Sequence, residues 1–205
     1  MSHAPLITQW FAVPAAPPPP PPPPPNLALP APGQILLITG PSGAGKSTLL
    51  RHLRALARSR SWIDLARIRL PHKPTIDCLG LPLADALHAL ARAGLADAHA
   101  FLRTPAQLSD GQRWRLRLAI ALARATRNPS AILVADEFAA LLDRITAAAV
   151  SRALRRAITQ SRRRAILATS HDDLVPALQP DRTIHCDPPL LSKTILNSRL
   201  VTSAP

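Results

Sequence analysis

Residues 35–48 read ILLITGPSGAGKST, and this stretch decides the fold. Its first half is a continuous apolar run, which predicts a strand of a parallel sheet that is covered on both faces. Its second half is rich in glycine, so successive backbone N–H groups can point inward at phosphate oxygens. Lys46 adds a positive charge for the β- and γ-phosphates, and the Ser47 hydroxyl is placed to ligate Mg²⁺. The stretch therefore predicts a bound nucleoside triphosphate.

The length of 205 residues leaves room for one domain with a core of its own. We predict that this domain spans residues 33–187, between a disordered, proline-rich segment at 1–32 and a tail at 188–205. Nine consecutive prolines at residues 17–25 predict an extended spacer. Arginines interrupt every segment rich in alanine and leucine, so we expect no insertion into a membrane.

The cysteine pattern indicates the redox environment of the protein. Cys78 and Cys186 lie far apart and have no metal-binding spacing around them. Reduced thiols are the plain interpretation, and they indicate a cytoplasmic protein.

The chain is strongly basic, with a formal net charge of +13 that comes almost entirely from arginine. Such a surface attracts nucleic acid or anionic lipid. A codon-biased genome would also produce a chain rich in arginine, alanine, proline and leucine, so both explanations stay open. The densest arginine clusters flank the end of one predicted helix: Arg152, Arg155, Arg156, Arg162, Arg163 and Arg164.

Strands and helices alternate along the predicted domain. Besides the strand at residues 35–39, apolar runs predict strands at 131–135 and 164–169. Helical periodicity and end signals predict helices at 47–57, 84–92, 111–127 and 145–160. This alternation favours an α/β fold with a mainly parallel, doubly wound sheet and helices on both faces.

Two adjacent carboxylates, Asp136 and Glu137, follow the second strand directly. The strand brings them to the carboxyl edge of the sheet, where the phosphate loop also lies. Asp136 is placed to hold Mg²⁺ and Glu137 to polarise an attacking water. A solvated pair of acids in a turn is the alternative. A further anion site is predicted at residues 108–112, LSDGQ, where Ser109 caps the long helix.

Taken in order, these segments resemble the motifs of the ABC-type ATPases over residues 33–187. GPSGAGKST is similar to their Walker A loop, and LSDGQ is similar to their signature LSGGQ. ILVADE at residues 132–137 resembles Walker B with its catalytic glutamate. Leu142 and Asp143 lie at the D-loop spacing, and residues 169–172, TSHD, resemble the switch-histidine segment.

The resemblance implies a head-to-tail homodimer in which ATP lies between the phosphate loop of one chain and the signature of the other. It implies catalytic roles for Glu137, His171 and Lys46, and Mg²⁺ ligation by Ser47 and Asp136. The implied nucleotide contacts come from the phosphate loop, the signature and the D-loop: Gly40, Pro41, Ser42, Gly43, Ala44, Gly45, Lys46, Ser47, Thr48, Ser109, Gly111, Gln112 and Asp143.

The chain departs from the family pattern in several places. No glutamine occurs between Ser47 and Ala106, so the glutamine of the family's Q-loop is missing. Residues 71–77 are the candidate remnant of that loop, with His72 or Asp77 as substitutes and a simple surface turn as the alternative. The same region is short, which implies a reduced helical subdomain. Asp110 replaces the first signature glycine. An adenine-stacking aromatic residue is also absent just before the phosphate loop.

These departures decide which function we expect. A soluble, Mg²⁺-dependent ATPase that acts on nucleic acid or another protein is the leading hypothesis, because the missing glutamine and short helical region count against a permease partner. The alternative is the ATP-binding subunit of an ABC transporter, which would lie at the membrane through its permease. A small-molecule kinase and a nucleotide-gated module without turnover are lesser alternatives.

Overall fold

A computed structural model describes residues 3–10, 27–58, 61–186 and 201–203 of the chain. The proline run at residues 17–25 and most of the predicted tail lie outside these ranges. Seven α-helices and six strands are found in the described ranges. In chain order they are α1 (Ala4–Trp10), β1 (Ile35–Thr39), α2 (Lys46–Leu56), β2 (Trp62–Asp64), α3 (Leu83–Arg92), α4 (Ala98–Leu102), α5 (Asp110–Arg127), β3 (Ile132–Ala135), α6 (Arg144–Ser161), β4 (Arg164–Thr169), α7 (Val175–Leu178), β5 (Arg182–His185) and β6 (Val201–Ser203).

The strands form one sheet in the order β2-β3-β4-β1-β5-β6. The first five strands of this order run parallel, and β6 pairs antiparallel with β5. Strands β3, β4 and β1 are therefore neighbours, and their carboxyl ends meet at one edge. These ends lead into the phosphate loop, the carboxylate pair and the predicted switch histidine. The strand order therefore places these three motifs at the same edge of the sheet.

The sheet is buried on both faces, which explains its continuous apolar strands. Along β1, Ile35 and Leu37 join a core cluster with α5 and α6, whereas Leu36 and Ile38 join a second cluster with α2. All four side chains are fully buried. The predicted α/β class with helices on both faces is confirmed.

Every predicted strand and helix of the domain is present, with ends within one residue of the prediction. Gly94, the predicted stop of α3, has a φ of 76° and follows the helix directly after Ala93. Asn128 and Pro129 likewise follow the end of α5. The short strands β2, β5 and β6 and the short helices α1, α4 and α7 are absent from the prediction, because three to seven residues carry too little periodicity.

Parts of both predicted end segments are ordered. Residues 4–10 form a helix where disorder is predicted. Leu27 and Leu29, which precede the predicted domain start at residue 33, pack against the core cluster that contains α2. At the other end, β6 adds to the sheet from within the predicted tail. The domain boundaries themselves remain a prediction.

The region between β2 and α5 contains the two short helices α3 and α4 and a 3-10 turn at Thr75–Leu79. Arg115 of α5 donates a hydrogen bond to the Gly94 carbonyl at 2.6 Å, which fastens the end of α3 to α5. In the ranges that the structure describes, no helix is both long and apolar enough to cross a membrane.

Candidate active site

The phosphate loop is shaped by two glycines at its ends. Gly40 has a φ of 138°, and a Cβ atom at this position would lie 2.2 Å from the backbone oxygen of Cys186, which directly follows β5. Gly45 has a φ of 89° and caps the start of α2. Only glycine adopts such conformations without strain, and at Gly40 only glycine fits the space. The loop therefore passes close to the end of β5 before it turns into the helix.

Lys46 folds back over its own loop. Its ammonium group donates hydrogen bonds to the carbonyls of Gly40 at 2.7 Å and Pro41 at 2.8 Å. An ammonium has three donors, so one remains after these two bonds. The backbone N–H of Ala44 also bonds to Pro41, at 3.2 Å. The lysine charge is thus held at the mouth of the loop, beside the N-terminus of α2, where the helix dipole also favours an anion.

The remaining loop residues face outward to different degrees. Ser42, Gly43 and Ser47 are exposed. The hydroxyl of Thr48 accepts a hydrogen bond from Arg51 at 2.8 Å. Thr48 is half-buried and Ala44 is buried, so the predicted nucleotide contacts of the loop differ in their exposure.

Ser47 and Asp136, the two predicted Mg²⁺ ligands, are brought together by the sheet. The Ser47 hydroxyl donates a hydrogen bond to a carboxylate oxygen of Asp136 at 2.7 Å. A hydroxyl and a carboxylate are oxygen donors of the kind that Mg²⁺ accepts together with substrate phosphates. The pair fits this ion. The described residues contain no group of three or more His, Cys, Asp or Glu side chains that could hold a metal by themselves.

Glu137 lies in a tight turn after β3. It is exposed and has a φ of 52°, a left-handed conformation that is unusual for a residue with a side chain. Its backbone N–H bonds to the carboxylate of Asp136 at 3.1 Å. The next residue, Phe138, is fully buried and packs edge-on against Trp114 of α5, with ring centroids 5.4 Å apart. The buried aromatic ring therefore anchors the turn that presents Glu137.

Thr169, at the end of β4, links this turn to the predicted switch histidine. Its buried hydroxyl donates to the Phe138 carbonyl at 3.3 Å and accepts from the backbone N–H of His171 at 3.1 Å. Phe138 also donates its N–H to the Ala168 carbonyl at 2.7 Å. The turns that carry Glu137 and His171 are thus held in one arrangement by β4. The His171 ring bonds to Arg144 through Nδ1.

Replacing Thr169 by Val is expected to lower the ATPase rate roughly tenfold, as the loss of a supporting hydrogen-bond partner does in other sites. Valine matches threonine in shape but can neither donate to Phe138 nor accept from His171. Thr169→Ser keeps the hydroxyl and serves as the control. Steady-state phosphate release checks both variants. Equal loss of rate in the valine and serine variants would contradict a role for the hydroxyl.

The signature residues form the N-terminus of α5. The Ser109 hydroxyl accepts from the backbone N–H of Gln112 at 3.2 Å, and the Gln112 side chain accepts from the Ser109 N–H at 3.0 Å. This is a capping box, as the predicted cap at Ser109 requires. Asp110, which replaces a glycine of the family motif, forms an ion pair with Arg113. In the described residues no hydrogen bond joins this helix end to the phosphate loop.

Gly111 of the signature lies against the predicted D-loop of the same chain. A Cβ atom at Gly111 would come within 3.1 Å of the Leu141 carbonyl and 3.3 Å of the Leu142 side chain. The adjacent Asp143 caps α6 by accepting from the Thr146 N–H at 2.9 Å. Hydrogen bonds from the Thr146 side chain and backbone lower the pKa of the exposed Asp143 carboxyl. The nucleotide contact predicted for Asp143 remains a prediction.

The candidate Q-loop remnant at residues 71–77 is fastened to the short helical region. Thr75 donates through its N–H and its hydroxyl to the Arg103 carbonyl, at 2.9 and 2.8 Å. His72 and Asp77 are exposed, and in the described residues neither side chain forms a hydrogen bond with Ser47 or Asp136. The end of β2 lies beside β3, because Asp64 is opposite Val134, two residues before Asp136.

Sequence reasoning missed Asp64. Its carboxylate accepts from the Ala66 N–H at 3.0 Å and pairs with Arg67 at 3.4 Å. The sequence signal for a strand before Asp64 consists of two apolar residues, Trp62 and Ile63. A run of two apolar residues is too short to predict a strand. The position next to Walker B is therefore occupied by a carboxylate that is already paired.

Part of the basic cluster serves the fold. Arg155 forms an ion pair with Asp181, whose carboxylate also accepts from the Ile35 N–H at 2.8 Å. Burial alone would raise the pKa of Asp181, but the hydrogen bonds from Arg155 and Ile35 outweigh it and lower the pKa. Arg163 donates to a backbone carbonyl at the end of α5, at 3.0 Å. These arginines stabilise contacts between elements, which weakens the case for a nucleic-acid surface.

Comparisons with known proteins identify the family of the chain. A family model described as an AAA ATPase domain matches residues 27–168. The aliphatic sulfonates import ATP-binding protein SsuB of Pseudomonas fluorescens (strain Pf0-1) is 35% identical, in an alignment that covers 72% of this chain and 60% of that protein. SsuB of Pseudomonas entomophila (strain L48) is also 35% identical, over 78% of this chain and 64% of the relative. The chain thus spans somewhat under two thirds of the length of these relatives.

Solved structures show the same fold. The ATP-binding cassette MJ0796, in a dimeric structure bound to ADP and Pi, superposes with a TM-score of 0.62 at 22% identity, over 78% of this chain and 83% of that chain. CbiO1 from Clostridium perfringens, part of the ABC transporter complex CbiONQ, gives a TM-score of 0.54 at 21% identity, over 75% of this chain and 73% of that chain.

The parallel sheet, the glycine loop on α2 and the Ser47–Asp136 contact define a P-loop ATPase, a class that takes ATP with Mg²⁺. The chain belongs to the AAA ATPase domain family of the matching model, and its motif order and relatives make it an ABC-type ATPase domain.

Proposed function

We propose that this chain is the ATP-binding subunit of an ABC transporter, in which two ATP-binding domains hydrolyse ATP to drive a membrane permease. The observation that carries the proposal is the 35% identity to SsuB proteins over 72–78% of this chain. It favours the transporter over the soluble ATPase that the missing glutamine suggested. The chain would then lie at the cytoplasmic membrane surface through its partner.

Each residue of the site has a distinct task in this proposal. Lys46 and the backbone of the phosphate loop would bind the β- and γ-phosphates, and Ser47 and Asp136 would hold Mg²⁺. The bound ion supplies positive charge against the phosphate oxygens. Glu137 would accept the proton of the attacking water, and His171 would donate a hydrogen bond to the γ-phosphate.

The signature would act on a second copy of the chain. Within the part of the chain that the structure describes, Ser109 and Gly111 form no hydrogen bond with the phosphate loop of their own chain. Ser109 is exposed at the N-terminus of α5, where the helix dipole favours an anion. Leu141 and Ile145 are exposed beside it, at 57% and 84%. Exposed leucine and isoleucine beside a site suit an interface, so we place the second chain here.

The permease would contact the short helical region. Leu83 and Leu87 are exposed one helical turn apart on α3, and Leu102 is 76% exposed at the end of α4. A partner helix would cover these exposed apolar side chains. Since aliphatic sulfonates are the solutes named for SsuB, they are the first solutes to test.

Capture from membranes tests the proposal. Tagged Glu137→Gln protein is incubated with ATP, Mg²⁺ and detergent-solubilised membranes of the source cells. We expect it to retain a polytopic membrane protein that stimulates the ATPase activity of the unmodified chain. The variant that also carries Leu83→Asn should lose this protein. Leu56→Asn replaces a leucine of similar exposure, 53%, on α2 and should retain it. If the variant retained only soluble proteins or nucleic acid, the transporter proposal would be contradicted and the hypothesis of a soluble ATPase would be favoured.

A further inference from the structure

Arg144 connects the predicted D-loop with the predicted switch histidine. It is the first residue of α6 and directly follows Asp143. One guanidinium nitrogen lies 3.1 Å from Nδ1 of His171, and the other terminal nitrogen lies 3.1 Å from a carboxylate oxygen of Asp173. The three side chains thus form a short bridge between α6 and the segment after β4.

The chemistry of arginine fixes the direction of the contact with His171. A guanidinium has five N–H donors and no acceptor, and it stays protonated in proteins. Nδ1 of His171 must therefore accept the hydrogen bond with its lone pair. In a neutral imidazole the other nitrogen then carries the proton. The His171 ring is consequently a donor at Nε2, which no residue in the described ranges bonds.

We propose that Arg144 is a positioning residue that holds His171 as the Nε2–H tautomer and aims that N–H outward, ready for an anionic oxygen. The backbone side of the same residue is fixed independently, because the His171 N–H bonds to the Thr169 hydroxyl. With its backbone and its Nδ1 both held, the ring keeps one orientation. The catalytic consequence rests on the proposed function, in which the acceptor is the γ-phosphate.

The ion pair with Asp173 orients Arg144 and adds little stability. Its side chains are 57% and 51% exposed, and exposed ion pairs contribute little to stability. The pair nevertheless fixes the guanidinium plane, since two of its nitrogens are bound to different partners.

The tautomer can be observed without nucleotide and without turnover. Protein labelled with ¹⁵N-histidine is studied by long-range ¹H–¹⁵N correlation at mildly alkaline pH, and His171 is assigned by its absence in His171→Gln. We expect widely separated shifts for its two ring nitrogens, with the proton on Nε2. In Arg144→Met, which has no donor, part of this separation should be lost. Arg144→Lys should retain more of it, and Arg152→Met, on the exposed surface of the same helix, all of it.

Turnover gives the second measurement. Arg144→Met should lower kcat for ATP hydrolysis roughly tenfold, at the lower end for supporting partners of site residues, and leave the KM for ATP unchanged. Arg144→Lys should recover part of kcat. An unchanged ¹⁵N pattern in Arg144→Met, or an unaltered kcat, would overturn the proposal. If no permease is captured, or the unmodified chain proves inactive, the ¹⁵N spectra still decide whether Arg144 sets the tautomer.

Discussion

Glu137→Gln is expected to reduce the rate of ATP hydrolysis by at least ~100-fold and to leave ATP binding intact, because the amide cannot accept a proton from the attacking water. The substitution keeps the size of the side chain. It also leaves the contact between Ser47 and Asp136 unchanged. Glu137 is the only glutamate of the chain, so no other glutamate can take over its task. Steady-state phosphate release measures the rate.

A stable dimer should accompany this loss. Hydrolysis would remove the γ-phosphate that the two chains share, so a variant that binds ATP without cleaving it should remain paired. Light scattering with ATP and Mg²⁺ should therefore give twice the monomer mass for Glu137→Gln. Asp85→Asn removes one negative charge from an exposed position on α3 and is the control. Turnover at the unmodified rate in Glu137→Gln would refute the catalytic assignment.

Gly40→Ala is expected to lower the free energy of unfolding by about 3 kcal/mol, because overpacking and backbone strain each cost on the order of 1–3 kcal/mol. The added Cβ would overlap the backbone oxygen of Cys186 at 2.2 Å, and the φ of 138° disfavours any side chain. Neither the loop nor the end of β5 can move freely, since Cys186 N–H bonds to the Thr39 carbonyl at 2.8 Å. Urea unfolding without nucleotide measures the loss.

Gly43→Ala is the matched control within the same loop. A Cβ atom there meets nothing within 4 Å, although φ is 81°. Only the left-handed backbone is then strained, which costs about 1–2 kcal/mol. If the two variants were equally destabilised, the close approach of Gly40 to Cys186 would contribute nothing.

Much of the site could be predicted because its polar residues belong to short motifs that occur in a fixed order. The glycines, Lys46 and Ser47 lie together in sequence, and their spacing predicts a phosphate site. Asp136 and Glu137 follow a strand that is apolar throughout, so their place at the sheet edge follows from the parallel arrangement. The contact between Ser47 and Asp136 was indicated by the motif order and is present in the structure.

The supporting residues were not predictable, because their roles depend on neighbours far along the chain. Thr169 reads as the last residue of an apolar strand, yet its hydroxyl joins two turns. Arg144 reads as one of many arginines, and only the fold brings it to His171, 27 residues later. Asp64 is the last residue of a strand that is too short to show a period.

The sequence by itself determined the class of protein and the α/β alternation, and it predicted which residues face phosphate, since these rest on local spacing and on apolar runs. Only the tertiary structure decided the strand order β2-β3-β4-β1-β5-β6, the passage of Gly40 against Cys186 and the contact of Arg144 with His171. The physical reason is that such contacts depend on the packing of two complete core layers, whereas a motif depends on its own few residues.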